Sequence, residues 1–174
     1  MHLPKKMICI FLSLFAVMSA LSGCGSEAKT VRDSGFYAIV YKDHCEINGV
    51  SAESEQVNVP QKIKGKPVTA IAEGTFSGLP VVSVTLPDTV TSIGKAAFSN
   101  CNNLVEIKLP GSLNALPDSV FFRCISLTSA NLPDSLVSIG ENAFYECNKL
   151  TIDRLPGSLV TIGPYAFAGC TSIT

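Results

Sequence analysis

The feature that most restricts the fold of this chain is a segment repeated at a fixed spacing of 23 residues. Four copies read LPDTVTSIGKAAFSNC, LPGSLNALPDSVFFRC, LPDSLVSIGENAFYEC and LPGSLVTIGPYAFAGC, and they begin at Leu86, Leu109, Leu132 and Leu155. A fixed period of roughly 20–50 residues is typical of solenoids and other repeat architectures. A unit this short cannot bury its own apolar face, so successive units must stack on one another.

Each period contains two short apolar patterns that alternate. Leu104, Ile107 and Leu109 form L-x-x-I-x-L, which predicts a short strand whose alternate side chains enter a core. Pro110 follows and ends the strand, because proline has no N–H to donate. A second alternating run, residues 90–93, recurs in the later copies. Two short strands per period are therefore predicted.

The remaining part of the period predicts two turns. Gly94, Gly140 and Gly163 follow the second run, where glycine would permit a sharp turn. Ala-Phe follows in three copies, and we expect it on one helical or 3₁₀ turn. The predicted fold is a β-rich solenoid of 23-residue right-handed coils with short parallel strands and short helical turns.

Two residue types mark the predicted core. The phenylalanines are expected to form one buried column: Phe76, Phe98, Phe121, Phe144 and Phe167. The cysteines are expected to form a second column: Cys101, Cys124, Cys147 and Cys170. One cysteine per coil gives a line of thiols about 4.8 Å apart, which does not converge as a zinc tetrahedron does. We favour buried apolar filling for these thiols over disulfides or zinc.

The motif L-x-x-I-x-L-P-x-x-L-x-x-I-G-x-x-A-F-x-x-C resembles the leucine-rich repeat of BspA-like (Treponema-type) bacterial surface proteins. The resemblance covers residues 59–174, about five coils with the last incomplete, and residues 59–76 resemble the longer first repeat of that family. Residues 36–58 resemble its N-terminal capping segment. The resemblance implies a leucine-rich-repeat solenoid at the bacterial cell surface that binds other proteins and functions in adhesion.

The copies depart from this pattern at three positions. Pro117 stands where the other copies have glycine, and Val120 stands where they have alanine. Asp153 occupies the inward strand position of Ile107. Because burying a lone carboxylate costs several kcal/mol, we expect a bulge there or a side chain that reaches solvent.

The N-terminal residues predict export. Residues 1–23 combine a basic start, a short apolar stretch and LSG before Cys24, in the order of a bacterial lipoprotein signal peptide. This resemblance implies that the Cys24 thiol takes a diacylglyceryl group, whose two acyl chains suffice for a stable membrane anchor. Residues 24–35 would then form a polar tether. The alternative is an ordinary secretory signal. The predicted location is the bacterial membrane or cell surface.

Composition and motifs argue against catalysis and nucleic-acid binding. The chain has 13 basic and 14 acidic residues without a basic stripe, so no electrostatic footprint for nucleic acid is present. His44 is the only histidine after the signal, and no serine stands in a nucleophile elbow. We predict no catalytic residue, no metal site and no cofactor.

The outward positions of the L-x-x-I-x-L strands predict a binding face for an unknown surface macromolecule. These residues are Ser83, Thr85, Glu106, Lys108, Ser129, Asn131 and Arg154, interrupted by Ile152. Two alternatives remain open: a structural or truncated repeat protein without a partner, and a glycan- or cell-wall-binding lipoprotein. The last coil, with Leu159 and Ile162 covered on one side only, predicts weak self-association through that end.

Overall fold

The computed structural model describes residues 28–51 and 54–173, which form a β-solenoid of about five turns with about 23 residues per turn. The predicted fold class is therefore confirmed. The strands are β1 Lys29–Asp33, β2 Phe36–Val40, β3 Cys45–Val50, β4 Gln56–Asn58, β5 Lys62–Ile63, β6 Lys66–Ile71, β7 Ser83–Thr85, β8 Ser92–Ile93, β9 Glu106–Lys108, β10 Ala115–Leu116, β11 Ser129–Ala130, β12 Ser138–Ile139 and β13 Thr161–Ile162.

One side of the solenoid is a parallel sheet in the order β11-β9-β7-β4. Its strands come from the L-x-x-I-x-L pattern, and they pair in register: Val84 lies beside Ile107, and Ile107 beside Ala130. The inward side chains of these strands are buried and the outward ones are half-buried or exposed. The alternation seen in the sequence therefore separates core from surface on this side.

A second side carries the later short strands of each coil. β6 pairs with β8, and β10, β12 and β13 form a parallel sheet. At the N-terminal end, β1, β2 and β3 are antiparallel, and β3 pairs in parallel with β6. β5 and β6 form a tight antiparallel hairpin at residues 62–67. The antiparallel strands thus cover the first coil, whose core would otherwise be open.

The third side consists of turns, and no helix occurs among residues 28–51 and 54–173. The expected helical or 3₁₀ turn at Ala-Phe is replaced by a chain with left-handed residues four apart, such as Ala96 (φ 52°) and Asn100 (φ 57°). As a result, N–H groups alternate in direction. The Ser99 N–H donates to the Ala96 carbonyl oxygen of the same turn, whereas the Phe98 N–H donates to the Val120 carbonyl oxygen of the next coil. The left-handed residues therefore prevent a helix from forming here, and they direct alternate N–H groups to carbonyl oxygens of the neighbouring coil.

The core is a continuous column of stacked rings and apolar side chains. Phe76, Phe98, Phe121 and Phe144 have no exposed surface, and consecutive rings lie 4.8–5.4 Å apart between centroids. Phe167 stacks on Phe144 but is only partly buried. The apolar period of the sequence therefore becomes one column along the solenoid.

The glycines after the second strand have a different role from the expected one. Gly94, Gly140 and Gly163 do not have positive φ. A Cβ on Gly140 would instead lie 2.6 Å from the Asp118 nitrogen of the preceding coil, and one on Gly163 would lie 2.5 Å from the Glu141 nitrogen. Glycine is required here because neighbouring backbones approach too closely for any side chain.

The boundaries at the N-terminal end also differ in detail from those expected. Residues 29–33 of the predicted tether form β1, and β4, within the predicted capping segment, pairs with β7 of the solenoid. Within residues 28–51 and 54–173, no helix is long and apolar enough to cross a membrane.

Candidate functional site

Six of the seven predicted binding residues lie on or directly beside the outward surface of the sheet formed by β4, β7, β9 and β11, which we call the outer face. Ser83 pairs with Glu106, and Glu106 with Ser129, so these residues form one row across three coils. Thr85 and Lys108 form a parallel row beside it. Because neighbouring parallel strands are about 4.8 Å apart, each row is a closely spaced column of polar side chains. The sheet therefore brings five of the predicted residues together.

The outer face is accessible and polar. Thr85, Glu106, Lys108 and Ser129 are exposed, and Ser83 is half-buried. Asn131 is exposed and directly follows β11. Within the described part of the chain, neither Glu106 nor Lys108 has an ion-pair partner within 4.0 Å. Both charges are thus available to a partner, together with several hydroxyl groups.

Arg154 and Ile152 do not belong to the regular sheet. On this side of the last coil only Thr151 bridges to Ser129, and residues 152–160 form no strand. Arg154 Nη2 lies 2.7 Å from Asp134 Oδ1, so its charge is paired with a loop rather than with the outer face. Asp153 is exposed, as expected for a carboxylate at this position. Because the sheet ends before Asp153, this carboxylate does not point into the core and its charge is not buried.

The turn side carries a second surface, which the sequence patterns did not indicate. The rings of Phe122 and Tyr145 are half-buried and stack 5.2 Å apart with planes 9° from parallel. Beside them, Arg123 Nε lies 3.0 Å from Glu146 Oε2. The aromatic pairs that begin at Phe121 and at Phe144 could have indicated this surface, because the second ring of each pair falls at an outward position.

The same side contains an ion pair that also bonds to the backbone. Lys95 Nζ lies 2.8 Å from Asp118 Oδ2, and the Glu141 N–H donates to Asp118 Oδ1. The hydrogen bond from Lys95 lowers the pKa of Asp118, with the backbone N–H as the next cause. Exposed pairs of this kind contribute little to stability, so we treat the turn side as a surface feature.

The cysteine column lies inside the solenoid. Cys101, Cys124, Cys147 and Cys170 are buried and unpaired, and so is Cys45 in β3. Each thiol of the column donates a hydrogen bond to a phenylalanine carbonyl oxygen of the preceding coil. Burial raises the pKa of Cys147 to about 12 and also raises that of Cys170. Cys147 and Cys170 are therefore neutral at physiological pH and lack the thiolate that nucleophilic attack requires.

His44 lies at the turn between β2 and β3 and is oriented by neighbours in sequence. Its Nδ1 lies 2.6 Å from Asp43 Oδ1, and its ring stacks on Tyr41 at 4.6 Å. No serine hydroxyl bonds to His44 within the described residues, and no group of three His, Cys, Asp or Glu there could hold a metal ion. The predicted lipidation site, Cys24, lies outside the described residues.

Comparison with protein families places the chain beside one repeat family. The model described as BspA type leucine rich repeat region matches residues 55–174 in six copies. A search of the curated proteins gave no match.

Solved structures with the same fold include three leucine-rich-repeat or surface-antigen proteins. A Treponema pallidum leucine-rich-repeat protein is 32% identical, with a TM-score of 0.77 over 84% of this chain and 70% of that one. A leucine-rich-repeat protein from Bacteroides ovatus is 28% identical, with a TM-score of 0.69 over 88% of this chain and 40% of that one. The pneumococcal vaccine antigen PcpA is 20% identical, with a TM-score of 0.57 over 84% of this chain and 49% of that one, and shares the fold alone.

Proposed function

Because this chain belongs to the BspA-type leucine-rich-repeat family, we propose that it is an exported, lipid-anchored module that binds another protein at the bacterial cell surface and performs no catalysis. The family resemblance supports a protein-interaction module, since repeat proteins of this type use extended faces for binding. Lipidation of Cys24, the surface location and an adhesive role are parts of this proposal, supported by the LSGC sequence and the family.

The observation that carries the proposal is the outer face. Three coils present Ser83, Glu106 and Ser129 in register on a parallel sheet, with Thr85 and Lys108 beside them. The backbone groups of the sheet are hydrogen-bonded, so the spacing of these side chains is set before a partner arrives. A preformed face reduces the entropy lost on binding. The Glu106 and Lys108 charges would then determine which partner surface matches.

The test is a pair of charge-reversal variants of the full chain. Glu106→Lys combined with Lys108→Glu inverts the outer face without changing net charge. Asp88→Lys combined with Lys149→Glu makes the same change at exposed positions outside that face. Each protein is cross-linked to its neighbours on cells, and the captured proteins are identified by mass spectrometry.

We expect a partner that is captured by the wild type and by the second variant but lost, at least tenfold, with the first. Urea unfolding must show that both variants are folded. A partner retained equally by both variants would remove the outer face from the proposal. Absence of any partner on cells would favour the alternative of a structural repeat protein.

Glycan binding is the second candidate function. It is favoured by Tyr165, a residue that is 68% exposed on the turn side, because an exposed aromatic ring can stack on a sugar. Cell-wall glycans that retain the wild type but not Tyr165→Ser would support this candidate. Retention that depends on Glu106 and Lys108 instead would support the outer face.

A further inference from the structure

Two segments at the N-terminal end of the fold, β1 and the β5–β6 hairpin, carry mostly positive charge, whereas residues 28–67 as a whole hold six basic and five acidic residues. β1 contributes Lys29 and Arg32, and the β5–β6 hairpin contributes Lys62, Lys64 and Lys66. We call these five residues the basic cluster. Asp33 is the one carboxylate in the two segments 29–33 and 62–67. By contrast, the solenoid from residue 68 to residue 173 has five basic and eight acidic residues. Charge is therefore distributed unevenly along the molecule.

The tip of the hairpin contacts the end of β1 through one exposed ion pair and projects into open space. Lys64 Nζ lies 3.3 Å from Asp33 Oδ2, at the end of β1. Lys64 and Gly65 both have positive φ, 51° and 78°, as a two-residue hairpin turn requires. A Cβ on Gly65 would meet no atom within 4 Å. Lys62 is exposed and Lys66 half-buried, and neither has an ion-pair partner among the described residues.

The distance between this cluster and the proposed anchor is limited by chain length. Lys29, the first residue of β1, is five residues after Cys24. Five residues span at most about 17 Å even when fully extended. A lipid on Cys24 would therefore hold Lys29, the first residue of β1, within about two Debye lengths of the membrane surface at physiological salt, where each length is about 8 Å. When this end of the fold turns toward the membrane, the charges of β1 and of the hairpin enter the region in which the headgroup potential acts.

We propose that the basic cluster binds the anionic phospholipid headgroups of the membrane that holds the anchor, and so orients the solenoid away from it. This inference rests on the proposed lipidation of Cys24. The acidic solenoid is repelled by the same surface, so only one end of the molecule faces the membrane. Each lysine close to an anionic membrane contributes roughly a fivefold increase in binding. The outer face would thereby remain accessible to a partner.

Lysine labelling on vesicles tests this orientation. The lipidated chain is inserted into vesicles of phosphatidylcholine alone or with about a third phosphatidylglycerol, and acylation of each lysine is followed by mass spectrometry. We expect Lys62 and Lys66 to be labelled several-fold more slowly on the anionic vesicles. Lys108 and Lys149, which are exposed on the solenoid, should be labelled equally on both. Salt at 1 M, where the Debye length is about 3 Å, should abolish the difference.

A matched pair of variants identifies the charges responsible. Lys62→Gln with Lys66→Gln removes two charges from the cluster and leaves the Lys64–Asp33 pair intact. Lys108→Gln with Lys149→Gln removes two charges from the solenoid. The first variant should weaken the contact roughly thirtyfold, from about fivefold per lysine, and expose Lys29 and Lys64 to labelling. The second should leave their protection unchanged.

The possible outcomes distinguish failure of the membrane contact from failure of the proposed lipidation of Cys24. A chain that partitions into detergent but labels Lys62 and Lys66 as fast as Lys108 is anchored without this contact, which overturns the inference. If the chain is not anchored, labelling of the protein added to anionic vesicles decides the question independently. A soluble glycerol phosphate polymer that slows acylation of Lys62 and Lys66 as much as the anionic vesicles do would assign the basic cluster to that polymer. This result would also overturn the membrane contact.

Discussion

Cys124 Sγ donates a hydrogen bond of 3.0 Å to the carbonyl oxygen of Phe98 in the preceding coil. The same bond, also 3.0 Å, links Cys101 to Phe76 and Cys147 to Phe121. The Phe98 carbonyl oxygen already accepts the Cys101 N–H, so the thiol uses its remaining acceptor site. The cysteine column is therefore more than the apolar filling expected from the sequence, because each thiol also connects two coils.

Stability should fall at alkaline pH because of the buried Cys147 thiol. Burial raises the pKa of Cys147 to about 12 from an ordinary value of 9.0. The folded state therefore holds this proton more tightly, and its contribution to stability is complete below pH 9 and is lost as the pH rises toward 12. Between pH 8 and pH 10 the free energy of unfolding should fall by about 1 kcal/mol from this thiol. Urea unfolding at both pH values measures it.

Cys147→Ala is the control for this effect. It leaves the tyrosines and lysines unchanged and removes one thiol, so its stability should decline less between the two pH values. The quantity compared is the change in the free energy of unfolding between the two pH values. The substitution also leaves a small cavity, which lowers the stability at both pH values alike. An identical decline in both proteins would mean that Cys147 does not titrate differently on unfolding.

The phenylalanine column should be most sensitive in its middle. Phe121 and Phe144 have no exposed surface and stack 5.2 Å apart. Phe121→Ala and Phe144→Ala should each lower the free energy of unfolding by about 3–5 kcal/mol. Phe167→Ala should cost less, because Phe167 is only partly buried. Equal losses at all three positions in urea unfolding would contradict a column with a covered middle and an open end.

The close approach of coils at Gly140 should make it intolerant of any side chain. A Cβ there would lie 2.6 Å from the Asp118 nitrogen, so Gly140→Ala should cost about 1–3 kcal/mol as neighbouring backbones move apart. Gly157→Ala is the matched control, since a Cβ at Gly157 meets nothing within 4 Å and its φ is not positive. Thermal unfolding of the two variants should differ by several degrees. Similar midpoints would refute the steric explanation.

Lipidation predicts how the chain partitions. Cys24→Ala should move the protein from the detergent phase to the aqueous phase, or block removal of residues 1–23, because the thiol is the proposed acyl acceptor. Cys9→Ala removes a thiol from the same N-terminal region and should have no effect. Detergent partitioning followed by mass spectrometry of the N-terminal peptide measures both. Unchanged partitioning of Cys24→Ala together with normal removal of residues 1–23 would end the lipoprotein proposal.

The exposed apolar side chains beside β13 predict weak self-association. Val160 is 77% exposed and Ile162 is 48% exposed, and β13 has no strand beyond it within the described residues. An unpaired strand edge beside apolar side chains favours pairing with a second copy. Sedimentation over a concentration series should show a shift that Ile162→Lys abolishes. Val105→Lys, on an inner coil, should not abolish it, and a strict monomer at all concentrations would exclude the association.

The amino-acid sequence by itself determined the period, the strands and the core. A spacing of 23 residues between Phe98 and Phe121 admits few folds other than stacked coils, and alternation around Ile107 specifies which side chains face inward. The family followed from the same motif. These features are local or periodic, so a single chain displays them without any knowledge of its neighbours.

Only the tertiary structure decided how neighbouring coils meet. The left-handed residues at Ala96 and Asn100, the backbone contact at Gly140 and the thiol bond from Cys124 all depend on atoms one coil away. The pairing of Lys64 with Asp33 likewise joins segments that are distant in sequence. Hydrogen bonds and steric contacts between coils act over a few ångströms in space but 20 or more residues in sequence, so no local pattern encodes their geometry.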